Sequence, residues 1–234
     1  MGHKKLIRFE ELNTFENVFQ YDTTKKGKWH DSFKNKHSIT LELACGKGEY
    51  SVGQGRLYHD RNFIGIDIKG NRIWRGAKTA LDEKLYNVAF LRTEIDKIPD
   101  YFEQEEVAEI WITFPDPQLR LSKAKKRLTH PKFLRLYQQI LKKDGVVHLK
   151  TDSPDLYHFT KTVIDLYNLE VVVDYDNLYQ QQNLAPELFI KTHYESLDIA
   201  QSNRIHYLQF KINIDLPVVL DLELKRIIND PTTN

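Results

Sequence analysis

Cysteine is almost absent: Cys45 stands alone in 234 residues. One thiol excludes a disulfide framework, and it excludes a cysteine-rich zinc site, which needs about four ligands. Apolar runs are short, and none approaches the roughly 20 residues that cross a bilayer, so no membrane segment is expected. The start, Met1-Gly2-His3-Lys4-Lys5, has no apolar stretch of the kind that marks a secretory signal. A reducing, cytoplasmic setting is the expectation. Repeats, low-complexity tracts and long Pro/Gly/Ser linkers are also missing. One domain is therefore expected over residues 38–234, preceded by an N-terminal arm over residues 1–37 that Trp29 and Phe33 can pin to the body. No G-x-S-x-G elbow and no Walker A sequence occurs, which removes the usual serine-hydrolase and P-loop signatures. His148, His158, His193 and His206 are scattered without metal-ligand spacing, so no metal is expected.

Acidic residues are missing over one particular stretch. The net charge is only +1, yet residues 117–143 contain no Asp or Glu and hold Arg120, Lys123, Lys125, Lys126, Arg127, Lys132, Arg135, Lys142 and Lys143. Separation of charge by sign at constant net charge focuses potential on one part of a surface. Cations that adjoin a cleft without interleaved acids suit a phosphate backbone, because neutralising phosphates releases counterions. They position a polyanion without reading its sequence.

What is present is a rhythm. Residues 39–44 (ITLELA) form an apolar run that ends in Cys45-Gly46-Lys47-Gly48, a strand followed by a tight turn. Residues 49–58 suit a helix, residues 62–67 a second strand, and Ile73, Ala77, Ala80, Leu81 and Leu85 keep helical spacing. Residues 88–91 and 107–114 read as the third and fourth strands. The basic stretch reads as a loop, Phe133 to Leu141 as a helix stopped by Gly145, and residues 146–151 as the fifth strand. A further helix carries Leu156, Phe159, Val163 and Leu166. Two late strands, over residues 169–173 and 205–214, have no clear helix between them. Alternating strands and helices predict an α/β fold: a mostly parallel, twisted sheet with helices on both faces and an antiparallel pair at one edge. Ligands of such sheets sit outside the carboxyl ends of the strands, where the strand order reverses.

The strand ends carry the chemistry. Glu42 is a carboxylate inside an apolar strand, and burial without a partner is costly, so it meets either a structural cation or a cationic ligand. Gly46 and Gly48 allow a sharp turn. A dinucleotide fingerprint needs a third glycine, but position 51 is Ser51, so the nicotinamide signature fails. Asp67 suits ribose hydroxyls or a helix N-cap. Thr93-Glu94 ends the third strand. Phe114-Pro115-Asp116-Pro117 presents one carboxylate on stiffened backbone. Asp152, in Lys150-Thr151-Asp152-Ser153-Pro154, either caps the next helix or bonds a base edge. Thr192-His193-Tyr194-Glu195 is on its own a polar loop.

Taken in order, Leu41-Glu42-Leu43-Ala44-Cys45-Gly46-Lys47-Gly48, Phe63-Ile64-Gly65-Ile66-Asp67, Phe114-Pro115-Asp116-Pro117 with its basic tail, Lys150-Thr151-Asp152 and Thr192-x-Tyr194-Glu195 resemble the bacterial tRNA (guanine-N7)-methyltransferase family. The resemblance covers about residues 39–210. It implies a Rossmann-like class I methyltransferase fold, S-adenosyl-L-methionine as cofactor and the variable-loop guanosine of tRNA as substrate. By the same resemblance Glu42, Asp67, Glu94 and Asp116 serve the cofactor together with the Gly46-x-Gly48 turn. A fixed carboxylate that stabilises charge growing on the base is expected to be catalytic, with Asp116 the choice and Asp152 the alternative. Arg120, Asp152, Thr192 and Glu195 serve the substrate, and Lys123, Lys125, Lys126 and Arg127 lie against RNA. Gln118-Leu119 replaces the family's usual Trp-Pro, and Arg120 its usual lysine. A monomer or homodimer is expected. The alternatives are a same-fold methyltransferase acting on another RNA or a small molecule, and a non-catalytic RNA-binding protein.

Overall fold

The structure, a computed structural model, describes residues 2–193, 195–197 and 203–229. Eight strands form one sheet. They are β1 (Val18–Gln20), β2 (Ser38–Leu43), β3 (Arg61–Asp67), β4 (Val88–Arg92), β5 (Val107–Thr113), β6 (Leu141–Thr151), β7 (Glu170–Tyr175) and β8 (His206–Lys211). Their order is β1-β4-β3-β2-β5-β6-β8-β7. All pairs are parallel except β6 with β8 and β7 with β8. β8 therefore runs against both neighbours, and β7 is the edge. The helices are α1 (Gly2–Leu12), α2 (Trp29–Phe33), α3 (Glu49–Leu57), α4 (Gly70–Asp82), α5 (Pro131–Gln138), α6 (Pro154–Leu166) and α7 (Leu220–Asn229).

Burial explains the pattern. After their first residues, β2 and β3 are buried at every position, as strands covered on both faces must be. Edge strand β7 is exposed along most of its length. On one face Leu41, Leu43, Ile110, Ile112, Val147 and Leu149 pack with residues of α2, α5 and α6. On the other, Phe63, Val88 and Phe90 pack with Leu12 of α1, Val52 of α3 and Ile73 of α4. Farther along that second face the cover comes from the edge of α3 and from a strap. Trp111 of β5, Tyr207 of β8 and Tyr50 of α3 enclose Leu178 and Leu188, which belong to this strap linking β7 to β8.

Residues 1–37 are richer in structure than their polar composition suggests. β1 extends the sheet by pairing with β4. Trp29 is fully buried, stacks on Phe102 at 5.3 Å, and donates its indole N–H to the Tyr101 carbonyl at 2.9 Å. A second difference concerns Gly145, expected as a helix-ending turn. It lies inside β6, which starts at Leu141. The β5 partner shifts from Leu141 opposite Val107 to Val146 opposite Glu109, so a bulge absorbs the extra residues of one continuous strand.

Candidate active site

From β2 the chain winds outward through β3 and β4, then returns to build β5 and β6 on the other side. The reversal lies between β2 and β5, and the ends of these strands form the rim where a doubly wound sheet accepts ligands. Glu42 sits in β2 and is 2% exposed. One of its oxygens accepts the Ser51 backbone N–H at 2.8 Å and the Ser51 hydroxyl at 2.6 Å. The other accepts the Thr113 hydroxyl at 2.9 Å. The cation expected for this carboxylate is absent among the described residues; three neutral donors satisfy it. Burial dominates its protonation and raises its pKa to about 7 against the pull of those donors. Glu42 thus ties the first turn of α3 to the end of β5.

The turn after β2 runs through left-handed backbone at Ala44, Gly46 and Gly48, with φ of 56°, 57° and 70°. At Gly48 a side chain is excluded twice, since a Cβ there would also lie 2.4 Å from the Phe90 ring. Asp67 braces the turn: one oxygen accepts the Gly46 N–H at 3.0 Å and the other the Lys69 N–H at 2.8 Å. The helix-cap alternative does not hold, because Lys69 is the N-cap of α4. At the end of β4, Thr93 is buried and its hydroxyl has no partner among the described residues. Glu94 beside it is exposed, with an ion pair to Lys97 at 3.7 Å.

At the end of β5 the backbone is kinked on both sides of the Pro115-Asp116-Pro117 turn, with φ of 46° at Phe114 and 49° at Gln118. Asp116 is exposed. One of its oxygens accepts the Gln118 N–H at 3.0 Å, and the other has no partner among the described residues. The basic stretch then forms a short 3-10 helix, Leu121–Lys126, and the structure sorts its nine cations. Lys132 pairs with Asp96, and Arg135 with Asp221. Lys142 and Lys143 lie where β6 begins, at the opposite end of the sheet. Arg127 corrects an expectation. It is 5% exposed, donates to the Pro117 carbonyl at 3.1 Å and the Gln118 carbonyl at 3.3 Å, and lies 4.5 Å from the centre of the Phe159 ring. It holds the aspartate turn from beneath and does not offer its charge to a surface ligand. Arg120, Lys123, Lys125 and Lys126 are exposed and make no ion pair among the described residues, closely following Asp116.

At the end of β6, Asp152 is half-buried. Its capping role is overturned: Ser153 is the N-cap of α6 and accepts the Leu156 N–H at 3.3 Å. Thr192 is buried and accepts the Glu195 N–H at 3.1 Å through its hydroxyl. Glu195 reaches the Lys150 ammonium at 3.1 Å and accepts from the Tyr179 hydroxyl. Tyr194 lies outside the described residues. A cavity of about 570 Å³ opens beside the turn, between α3, α4 and the strap, lined in part by Lys47, Gly48, Gly76 and Lys191; Asp67, Glu94 and Asp116 are not among its walls. Among the described residues no cluster of His, Cys, Asp or Glu suits a metal, and no helix is long and apolar enough to cross a membrane.

Residues 36–208 match the model of the family described as "Putative methyltransferase". The tRNA (guanine-N(7)-)-methyltransferase of Christiangramia forsetii is 47% identical over 223 residues, covering 91% of this chain and 100% of that one. The enzyme of the same name from Pediococcus pentosaceus is 31% identical, covering 83% and 91%. This chain belongs to the tRNA (guanine-N(7)-)-methyltransferase family.

Solved structures share the fold of this family member at low identity. The 16S rRNA methyltransferase KamB superposes with a TM-score of 0.59 at 13% identity, covering 79% of this chain and 92% of that one. A SAM dependent methyltransferase from Aquifex aeolicus gives 0.52 at 14%, covering 88% and 96%. The fold is that of class I methyltransferases, as the family resemblance implied, and its mostly parallel sheet with an antiparallel pair is what the alternation of elements predicts. Three residues that bond to the expected site residues of this methyltransferase were given no role in the sequence. Ser51 and Thr113 satisfy Glu42 from α3 and β5, and Lys150 engages Glu195. Lys150 carried one available signal, a cation among apolar neighbours at a strand end.

Proposed function

We propose that this chain transfers a methyl group from S-adenosyl-L-methionine to N7 of guanosine in tRNA. Family membership supports the reaction. The observation that carries the site is the succession at the end of β5: an exposed aspartate with one oxygen unbonded among the described residues, followed closely by four exposed cations that make no ion pair among them. RNA phosphates would settle on Arg120, Lys123, Lys125 and Lys126, which brings a base to Asp116.

The rim suits the cofactor. The buried Thr93 hydroxyl lacks a partner among the described residues, and a buried polar group calls for one. Asp67 uses two of its roughly four acceptor positions on Gly46 and Lys69, and Glu94 is exposed. These acceptors match ribose hydroxyls and an adenine amino group, and the left-handed turn at Gly46 lies beside Asp67. Glu42 acts through the α3 turn it braces, since its own oxygens are engaged. S-adenosyl-L-methionine, when bound, supplies an electrophilic methyl group on a sulfonium sulfur.

Guanine N7 presents a lone pair and no proton, so the protein needs no general base. Its residues have to orient N7 toward the methyl group and keep it there. As N7 gains positive charge, the second carboxylate oxygen of Asp116 stabilises that charge more in the transition state than in the ground state. Asp152 and the pair Thr192 and Glu195 hold the base edge. The guanosine is turned outward, because a stacked base is hard to reach. The chain works in the cytoplasm as a monomer or homodimer, and the methyltransferase domain takes in the N-terminal segment as well, since β1 pairs with β4 and Trp29 is buried in the same core.

Incubation of the protein with tRNA and S-adenosyl-L-methionine, followed by nucleoside mass spectrometry, should yield 7-methylguanosine at one variable-loop position. Asp116→Ala should lose at least about a hundredfold in turnover with an unchanged melting temperature. Near-normal turnover in that variant would remove Asp116 from the mechanism.

A further inference from the structure

The segment between β7 and β8 is 30 residues long, spanning residues 176–205. Connections of this length without regular structure are commonly functional. Its described backbone has only three short 3-10 turns, Leu178–Gln180, Pro186–Phe189 and Glu195–Leu197. Something other than secondary structure holds it in place. Leu178 and Leu188 bury their side chains against Tyr50, Trp111 and Tyr207. The Tyr50 hydroxyl donates to the Glu187 carbonyl at 2.7 Å. Ile190 packs so closely on α3 that a Cβ at Gly53 would lie 2.8 Å from it.

One side chain gathers the rest. Lys150, at the end of β6 and two residues before Asp152, is 0% exposed. Its ammonium donates to the carbonyls of Leu188 at 2.9 Å and Ile190 at 3.0 Å, to the Tyr179 hydroxyl at 3.2 Å, and to Glu195 at 3.1 Å. Three N–H groups face four oxygens drawn from three parts of the strap. The Glu195 side chain is itself 5% exposed. A buried carboxylate that loses its counter-charge is strongly unfavourable, so Glu195 keeps its place only while Lys150 is charged beside it. Glu195 in turn orders Thr192, whose hydroxyl accepts its N–H.

We infer that Lys150 is a positioning residue: it staples the strap to the end of β6 and so sets Thr192 and Glu195 relative to Asp152. This rests on the proposed reading that Thr192 and Glu195 meet the substrate guanosine. Tyr179 completes the staple by bonding both Lys150 and Glu195. Among the described residues, neither the exposed cations that would hold tRNA phosphates nor Asp67 and Glu94 on the cofactor side bond to the staple.

The test uses the full chain with Lys150→Met. Hydrogen exchange across residues 178–193 should accelerate at least about tenfold. Turnover on tRNA should fall at least about thirtyfold, whereas affinity for S-adenosyl-L-methionine and for tRNA changes less than about threefold; a simple loss of folded protein would not split these quantities. Adding Glu195→Gln to Lys150→Met should cost little more, because the two residues act as one unit. Unchanged exchange would overturn the staple itself. Faster exchange with undiminished turnover would overturn the substrate role of Thr192 and Glu195, and with it the positioning role of Lys150. Should Lys150→Met not fold, Tyr179→Phe carries the test through the same two readings: faster strap exchange and a turnover loss of at least about threefold support the staple, and no change in either overturns it.

Discussion

Replacing Glu42 by Gln tests the electrostatics at the centre of the sheet. The carboxylate is buried among neutral donors from Ser51 and Thr113. Desolvation lifts its pKa from 4.5 to about 7. Between those values the folded protein holds a proton that the unfolded chain has released, so stability falls as pH rises through this window. The stabilisation is complete below pH 4.5 and is lost once pH passes about 7. At about 1.4 kcal/mol per pH unit the full effect is about 3 kcal/mol. Glutamine keeps the shape and does not titrate. Its carbonyl can accept both Ser51 donors, and its amide can donate to the Thr113 hydroxyl, which is free to rotate. Relative to wild type, Glu42→Gln should gain stability from pH 5 to about pH 7 and level off above it. For a chain of this size a gain of about 3 kcal/mol raises the melting temperature by about 6–12 °C. Calorimetric melting of both proteins at pH 5, 6.5 and 8 reads the difference, and other titrating groups cancel between them. Parallel curves, with a constant gap at every pH, would refute a carboxylate that enters the fold protonated.

Lys123, Lys125 and Lys126 replaced together by Ala should lower the slope of log affinity for tRNA against log salt by about 2–3 without changing thermal stability; an unchanged slope would make the loop a solvated face. Arg127→Ala should behave differently, destabilising the protein by about 2–4 kcal/mol in urea titrations, because two buried carbonyl contacts and the packing on Phe159 disappear. Gly48→Ala should cost about 2 kcal/mol or more, from left-handed backbone and from overlap with Phe90; a melting temperature at or above wild type would contradict the packing of that turn.

The linear chain was enough to specify the architecture and the rim. Strand and helix periods, the glycine turn and the prolines around Asp116 are local signals, and local backbone preference together with the burial pattern dictates them. The position of Glu42, Asp67, Glu94 and Asp116 at strand ends follows directly from where the apolar runs stop. Folding decided what each charge meets. Arg127 and Lys126 are neighbours in an acid-free run, yet one is buried against Phe159 and the other is exposed. Ser51 and Thr113 reach Glu42 from 9 and 71 residues away, and Glu195 reaches Lys150 from 45. Three-residue β1 exists only because β4 offers it an edge. Pairings over such separations leave no periodic trace, because they depend on which surfaces meet after the sheet has closed its core.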